Sequence, residues 1–208
     1  MNTLNKPAGL PVFPPHEDPA GDCVLARLYA EAPERRAVAW PEGFEGGIAH
    51  RLDNDTSGAL LVAGDPDELG HLRALFAEGR LRKEYRMLAA RDVPWSENRC
   101  DRPIGHDREH RGRMIVQRGP NTPHRGKWYD AETVFIRVGD HLWDVVITTG
   151  VMHQIRVHAA FVGLPLAGDK RYGGGPPAAN APPGASFCLH HIGIRGLTTA
   201  VPTPEWAR

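Results

Sequence analysis

The chain has 208 residues, of which 41% are hydrophobic and 24% charged, and its formal net charge is zero. This composition is typical of a single globular domain, and no apolar run approaches the roughly 20 residues that a membrane-spanning helix needs. The amino end lacks a basic, apolar signal segment, and the three cysteines form no C-x-x-C pair. We therefore expect reduced thiols in a cytoplasmic protein.

The charge is distributed unevenly along the chain. Between Arg80 and Trp128 there are 13 Lys or Arg and 6 Asp or Glu, so this segment carries +7 and the remainder −7. Binding of a polyphosphate requires a local positive face rather than a positive total. A solvated charged surface is the ordinary explanation of such a block, and the charges alone leave both explanations open.

Two helices are predicted in the first third of the chain. Residues 4–12 form a turn rich in proline, and residues 24–32 form a short helix with Leu25 and Leu28 on one side. Residues 36–49 are predicted as loop. Residues 65–79 form the clearest helix, in which Asp65 caps the amino end, Pro66 takes the first position and Glu68 completes a capping box. Its apolar stripe contains Leu69, Leu72, Leu75 and Phe76.

A charged loop, residues 50–58, lies between these helices. It reads His-Arg-Leu-Asp-Asn-Asp-Thr-Ser-Gly and leads directly into the apolar run 59–63, which is predicted as a buried strand. In extended chain, alternate side chains share a face, so Arg51 and Asp53 point outward together while Leu52 points inward. The pattern is also compatible with a tight turn in which Asp53 only caps backbone groups.

The second half of the chain is predicted to alternate strands with one helix. Residues 83–90 form a strand with Lys83, Tyr85 and Met87 on one face. Residues 127–138 and 141–148 form a hairpin around Gly139-Asp140. Residues 151–162 form a helix ended by Gly163, residues 173–184 a flexible loop, and residues 187–190 a strand. A lone arginine on a helix, such as Arg156, is usually a surface residue or a salt-bridge partner.

Several blocks resemble those of the RluA-type pseudouridine synthases, which isomerise uridine within RNA. The strongest are His50-Arg51-Leu52-Asp53 with Thr56-Ser57-Gly58, and residues 153–158 with Gly163-x-Pro165 and Gly168-Asp169-x-x-Tyr172-Gly173. Asn5-Lys6-Pro7-x-Gly9, Lys83-x-Tyr85, Pro103-Ile104-Gly105 and Leu189-His190 are also similar and follow the family's order. Together the matches run from residue 4 to residue 191.

The resemblance implies a role for individual residues. Asp53 corresponds to the catalytic aspartate, Arg51 to a residue beside the flipped nucleotide, and Tyr85 to the aromatic side chain that packs against the target base. Arg156 corresponds to the basic residue expected to pair with the aspartate. The loop after Pro103-Ile104-Gly105 corresponds to a basic RNA-binding loop, in which we expect contacts from Arg108, Arg111 and Arg113.

The implied fold is α+β: a pseudouridine-synthase catalytic domain with a mixed, mostly antiparallel sheet, flanking helices and a central cleft. We expect one domain over residues 1–208, without the small amino-terminal RNA-binding domain of many relatives. Relatives usually have a strand before the Asn-Lys-Pro segment, and only three residues precede Leu4 here, so we expect that strand to be missing. The family also commonly has arginine at the position of Val151, so a helper cation is absent.

The residues suit the chemistry that the resemblance implies. Uridine isomerisation breaks the bond from ribose C1′ to N1 and forms a bond from C1′ to C5, with no redox step, so we expect no cofactor and no metal. A carboxylate is needed beside the sugar, as nucleophile or as base, and Asp53 is the candidate. A nearby Arg156 would offset the cost of desolvating that carboxylate. We expect transfer or ribosomal RNA as the partner, no membrane association and a monomeric protein.

Two other classes of function remain open at this point, and a third is disfavoured. A nucleoside hydrolase would need a second carboxylate near the sugar, and Asp55 is available. An RNA-binding module without activity would use only the basic segment. A metalloenzyme is disfavoured although there are 11 histidines, because His153 and His158 do not share a helix face and no H-E-x-x-H pattern occurs.

Overall fold

The structure is a computed structural model that describes residues 1–175, 187–197, 199 and 201–208. Most of the loop predicted at 173–184 therefore lies outside the described residues. The described part contains three α-helices: α1 (Val24–Glu31), α2 (Pro66–Ala77) and α3 (Gln154–Phe161). Its ten strands are β1 (Asn2–Lys6), β2 (Ser57–Val62), β3 (Arg82–Leu88), β4 (Glu97–Cys100), β5 (Ile104–Asp107), β6 (Met114–Val116), β7 (His124–Tyr129), β8 (Thr133–Arg137), β9 (Leu142–Ile147) and β10 (Leu189–Arg195).

The residues group into two compact units. Unit 1 consists of Met1–Leu81 and His191–Thr203, and unit 2 of Arg82–His190 and Pro204–Arg208. Each unit has its own strands and its own buried apolar cluster. The combination of antiparallel strands with separate helices is the predicted α+β class. The single domain expected over residues 1–208 stays a prediction.

In unit 1 the strand order is β1-β2-β10, where β10 belongs to this unit from His191 onward, and β1 corrects a prediction. The strand expected to be missing is present: β1 runs antiparallel to β2, with Asn2 opposite Val62 and Lys6 opposite Gly58. Asparagine and lysine are poor strand formers, which hid the strand from sequence reasoning. The prediction was wrong because pairing with a buried neighbouring strand outweighs weak intrinsic propensity.

The two helices of unit 1 lie within one residue or two of their predicted bounds. The Asp65 carboxylate caps α2 by accepting a hydrogen bond from the Glu68 amide at 2.8 Å, as predicted. The capping box is modified, because the Glu68 carboxylate accepts from the Gly64 amide at 2.6 Å instead of the expected Asp65 amide. The buried cluster of unit 1 combines α2 with β2 and β10 and contains Ala49, Leu61, Ala63, Leu69, Leu72, Leu81 and Ile194.

In unit 2 the strand order is β3-β9-β8-β4, and each neighbouring pair is antiparallel. β8 and β9 form the hairpin predicted around Gly139-Asp140, and His141 in the turn has a positive φ of 54°. The first predicted strand of this hairpin was too long. Its residues up to Tyr129 belong to β7, which lies in another sheet. Residues 130–132 are not in a strand and separate β7 from β8.

A second, three-stranded sheet in unit 2 has the order β6-β5-β7. β5 and β6 are joined by residues 108–113, which are most of the cationic loop predicted at 106–113; its first two residues, His106 and Asp107, instead belong to β5. This sheet packs with α3 around a cluster containing Ile104, Met114, Val116, Ala131, Val157 and Tyr172. The cationic loop is therefore the connection of a hairpin that rests on the helix bearing Arg156.

Helix α3 begins three residues later than predicted. His153 takes a left-handed conformation with φ 55° immediately before the first helical residue, so the chain turns sharply there. The helix is buried over Gln154 to Ala159 rather than along one stripe. Arg156 is consequently 8% exposed, so of the two usual environments of a lone helical arginine it has the salt-bridge partner, Asp169, and not the surface location.

Within the described residues, no helix is both long enough and apolar enough to cross a membrane.

Acid pH should destabilise the protein through His190. This side chain is 1% exposed, and burial lowers its pKa from 6.5 to about 4. Between these values the unfolded chain takes up a proton that the folded protein does not, so stability falls as the pH falls. We expect His190 to lower the free energy of unfolding at pH 4 by about 3 kcal/mol relative to neutral pH, as measured by unfolding in urea.

The matched variants for this measurement are His190→Gln and His71→Gln, the latter at an exposed position on α2. His190→Gln should reduce the slope of stability against pH, with a remaining slope from His158, whose pKa burial also lowers. His71→Gln should follow the wild-type curve. An unchanged slope in His190→Gln would contradict this assignment.

Candidate active site

The loop that carries Asp53 belongs to unit 1, between β2 and Ile48, a residue that pairs with Val62 of β2 in an isolated antiparallel bridge. The alternation predicted for it is confirmed, since Leu52 is 5% exposed whereas Arg51 is exposed and Asp53 half-buried. The Thr56 amide donates to the Asp53 carbonyl oxygen at 3.1 Å and closes a turn. Asp53 and Arg51 thus lie on the outward side of a loop that has an internal hydrogen bond.

Lys6, at the end of β1, ties this loop to the amino-terminal turn. Its ammonium donates to the carbonyl oxygens of Pro7 at 3.0 Å, Leu10 at 2.6 Å and Asn54 at 2.7 Å. The side chain is 1% exposed, and its three N–H donors match three acceptors. The Gly9 amide adds a fourth link by donating to Asn54 at 2.9 Å. The residue following Asp53 is therefore fixed by two bonds to its carbonyl oxygen.

The charge of Lys6 also matters to the loop. Burial lowers its pKa to about 8, and the carboxylates of Asp55 and Asp53 partly oppose that shift. Lys6 is therefore protonated at neutral pH and places a buried positive charge near both carboxylates. Sequence reasoning quoted Lys6 only as part of a motif and missed this function. A lysine beside prolines gives no sequence signal of burial. Its position in the Asn-Lys-Pro motif was the only indication that it matters.

Gly58 allows the loop to enter β2. Its φ is 116°, and a Cβ at this position would lie 2.1 Å from the His191 carbonyl oxygen. A residue with a side chain would therefore displace the backbone of β10. The loop is anchored at this end by close packing of two strands within unit 1.

Tyr85 lies on β3 in unit 2. It is 5% exposed, and it faces Val145 of β9 in the antiparallel register. Lys83 shares its face, and burial lowers the pKa of Lys83 to about 8. A Cβ on Gly150 would lie 3.2 Å from the Lys83 ammonium nitrogen, so glycine leaves room for the lysine head. The predicted common face of Lys83, Tyr85 and Met87 is confirmed.

Arg156 is held within unit 2 by Asp169. Its Nε donates to Oδ2 at 2.7 Å and its Nη2 to Oδ1 at 2.9 Å, which is the bidentate geometry of a strong arginine–carboxylate pair. The Asp169 side chain is completely buried, and Oδ1 also accepts from the amides of Arg171 and Tyr172. Asp169 therefore orients Arg156, a positioning function that sequence reasoning had not assigned to it.

Aromatic rings complete the surroundings of Arg156. Its guanidinium carbon lies 5.2 Å from the ring centre of Tyr172 and 5.1 Å from that of Phe187, within the range of cation–π attraction. The Tyr172 hydroxyl accepts from the Met114 amide at 2.8 Å and lies 2.9 Å from His153 Nδ1. Burial raises the pKa of Tyr172, so this hydroxyl stays protonated at neutral pH.

The predicted RNA-binding arginines differ in their surroundings. Arg108 and Arg111 are exposed on the hairpin loop of unit 2. Arg113 is half-buried, with its guanidinium 5.7 Å from the Tyr172 ring centre and its Nε 3.8 Å from the Asp107 carboxylate. The loop is shaped by Asp107, whose Oδ1 accepts from the amides of Glu109 and His110. Arg108 and Arg111 are thus open to solvent, whereas Arg113 is held by Tyr172 and Asp107.

Thus unit 1 presents Asp53 and Arg51, whereas unit 2 presents Tyr85, Arg156 and the basic loop. Among the described residues, no group of three or more His, Cys, Asp or Glu side chains is arranged to hold a metal ion.

A family model described as RNA pseudouridylate synthase matches residues 2–161 of the chain. The chain belongs to the RNA pseudouridylate synthase family. The resemblance to RluA-type synthases is thereby confirmed, and the matched region includes Asp53, Tyr85 and Arg156.

Two relatives and one solved structure illustrate the similarity. An uncharacterised RNA pseudouridine synthase of Synechocystis sp. is 33% identical over 196 residues, covering 92% of this chain and 57% of that protein. Ribosomal large subunit pseudouridine synthase D of Yersinia pestis is 34% identical over 200 residues, covering 93% and 55%. The chain thus spans about half the length of the curated relatives it matches. Human RNA pseudouridylate synthase domain containing 4 shares the fold, with a TM-score of 0.69, 23% identity and coverage of 98% and 85%.

Replacing Asp169 by asparagine should destabilise the protein strongly. The substitution leaves the buried Arg156 guanidinium without its anionic partner and turns an amide donor toward its N–H groups. Loss of one partner of a buried ion pair costs about 3–5 kcal/mol. The measurement is the free energy of unfolding in urea.

The control is Asp144→Asn, which removes the partner of Arg86 in a more exposed pair of the same unit. We expect a loss of less than about 1 kcal/mol there. Equal losses in the two variants would show that the Asp169 pair is not a specific anchor of Arg156.

Proposed function

We propose that this chain converts uridine to pseudouridine within structured RNA. The family match over residues 2–161, with the Asp53 loop inside it, is the observation that carries the proposal. The structure of unit 1 supports it, because a half-buried carboxylate on a tethered loop is suited to act on a bound sugar.

The reaction breaks the glycosidic bond between C1′ and N1, turns the uracil, and joins C1′ to C5. The proton on C5 is lost and N1 gains one, so atoms and charge balance without an oxidant or reductant. In this proposal Asp53 acts on the ribose, either as the nucleophile at C1′ or as the base that removes a proton.

The remaining site residues act around the same nucleotide. Tyr85 provides a ring face for the extruded uracil, because the reacting atoms are hidden while the base is stacked. Arg156 keeps the Asp53 carboxylate negative, and its bidentate bond to Asp169 supports a fixed orientation for this function. Arg51 contacts the flipped nucleotide, and Arg108, Arg111 and Arg113 bind phosphates.

For the substrate we propose transfer or ribosomal RNA, with ribosomal RNA tested first. The name of the Yersinia pestis relative refers to the large ribosomal subunit. We also propose that the protein acts as a monomer in the cytoplasm without a cofactor. The three cysteines, which are buried free thiols, support a reducing compartment.

The proposal is tested by incubating the protein with ribosomal and transfer RNA that lack modifications, then digesting the RNA and separating the nucleosides. The wild-type chain should form pseudouridine and release no uracil. Asp53→Asn should lower turnover by more than about 10³-fold while RNA affinity and folding persist, because the essential carboxylate is neutralised.

Asp55→Asn is the matched control, since Asp55 lies two residues along the same loop and is exposed. Of the two carboxylates, isomerisation requires only that of Asp53, so Asp55→Asn should keep its turnover. Release of free uracil that depends on both carboxylates would instead identify a hydrolase. RNA binding without any product would identify a binding module, and either result would overturn the proposal.

A further inference from the structure

A concave surface in unit 2 has no assigned function in the proposed reaction. It has a volume of about 400 Å³ and is lined by His106, Met114, Tyr129, Gly150, Val151 and Met152. This volume is within the range of about 300–1,000 Å³ typical of ligand sites. The lining comes from all three strands of the smaller sheet and from the segment that leads into α3.

The surface is aromatic and apolar inside. Tyr129 is half-buried, and its ring meets that of His106 edge to face, with centres 6.0 Å apart. Met114 is 1% exposed and Val151 half-buried, whereas Met152 is 41% exposed. Aromatic rings beside apolar side chains are the surroundings in which unpaired bases stack.

Basic side chains lie beside the surface and along the strands that form it. The ammonium of Lys127 lies 5.1 Å from the centre of the Tyr129 ring. The segment from Ile104 to Tyr129 contains six Lys or Arg and two Asp or Glu, one of which is Asp107 beside Arg113. An apolar surface within a positive segment complements a base that is attached to a phosphate backbone.

The surface is connected to Arg156 by contacts within unit 2. The amide of Met114 donates to the Tyr172 hydroxyl, and the Tyr172 ring lies under the Arg156 guanidinium. One aromatic ring therefore separates the surface from a residue proposed to act on the target uridine. A nucleotide bound there would be a close neighbour of the target in the RNA.

We propose that this surface binds one unpaired base of the RNA that flanks the target uridine, by stacking on Tyr129, with Lys127 contacting the adjacent phosphate. The inference rests on the proposed function for the identity of the target. It adds a second base-binding position, so that the protein holds two extruded or unpaired bases of one strand.

The test measures binding of two fluorescent probes by anisotropy: a short single-stranded oligouridylate, and an abasic oligoribonucleotide of equal length. Both carry the same phosphates, so their difference reports binding of bases. Tyr129→Ala should lose about tenfold in affinity for the oligouridylate and less than about twofold for the abasic probe. Tyr129→Phe, which keeps the ring, should retain wild-type affinity for both.

Tyr29→Ala is the matched control, because Tyr29 is also a half-buried tyrosine with a cation near its ring, Arg36 at 4.5 Å. It does not line the surface, and its affinities should equal those of wild type. Urea unfolding of each variant verifies that it is folded under the conditions in which the affinities are measured.

Three results would overturn the inference: an affinity of Tyr129→Ala for the oligouridylate within twofold of wild type, equal losses for the two probes, or a wild-type chain that does not prefer the oligouridylate. These measurements need no turnover. A chain that passes them but forms no pseudouridine would refute the proposed function alone, and an active chain that fails them would refute this inference alone.

Discussion

The buried ammonium of Lys6 is the interaction on which the arrangement of unit 1 depends. It joins the end of β1, the proline-containing turn after it and the loop that carries Asp53 through three carbonyl oxygens. The bond to Leu10 is buried, and an acceptor left buried without a donor costs about 1–3 kcal/mol. The same charge lies near the carboxylates of Asp53 and Asp55. One side chain therefore fixes the path of the loop and sets part of its electrostatic environment.

Unit 2 also contains a buried charged side chain that several groups hydrogen-bond, but here the buried charge is negative. There the buried carboxylate of Asp169 receives Arg156 and two backbone amides. Both proposed functional groups are thus presented by polar side chains whose hydrogen bonds are satisfied inside the protein. Satisfied buried polar groups restrict geometry because each alternative conformation would break several bonds at low dielectric. A reaction that depends on the position of one carboxylate benefits from this restriction.

Much of this was predictable from the sequence, and the failures have physical causes. The cap at Asp65, the β8–β9 hairpin and the outward pair of Arg51 and Asp53 follow from local patterns of turns and alternation. The missed elements depend on distant partners. β1 forms because β2 is there to pair with it, and Arg156 can be buried on α3 because Asp169 pairs with it. Local propensity contains no information about either partner.

The central claim, that Lys6 holds the Asp53 loop, is tested most directly by amide hydrogen exchange in Lys6→Met. The Gly9 and Thr56 amides donate to the carbonyl oxygens of Asn54 and Asp53, so their exchange rates report opening of this loop. We expect both to exchange at least about tenfold faster in Lys6→Met, and to be unchanged in Lys170→Met, which alters an exposed lysine. Wild-type protection of both amides in Lys6→Met would contradict the claim.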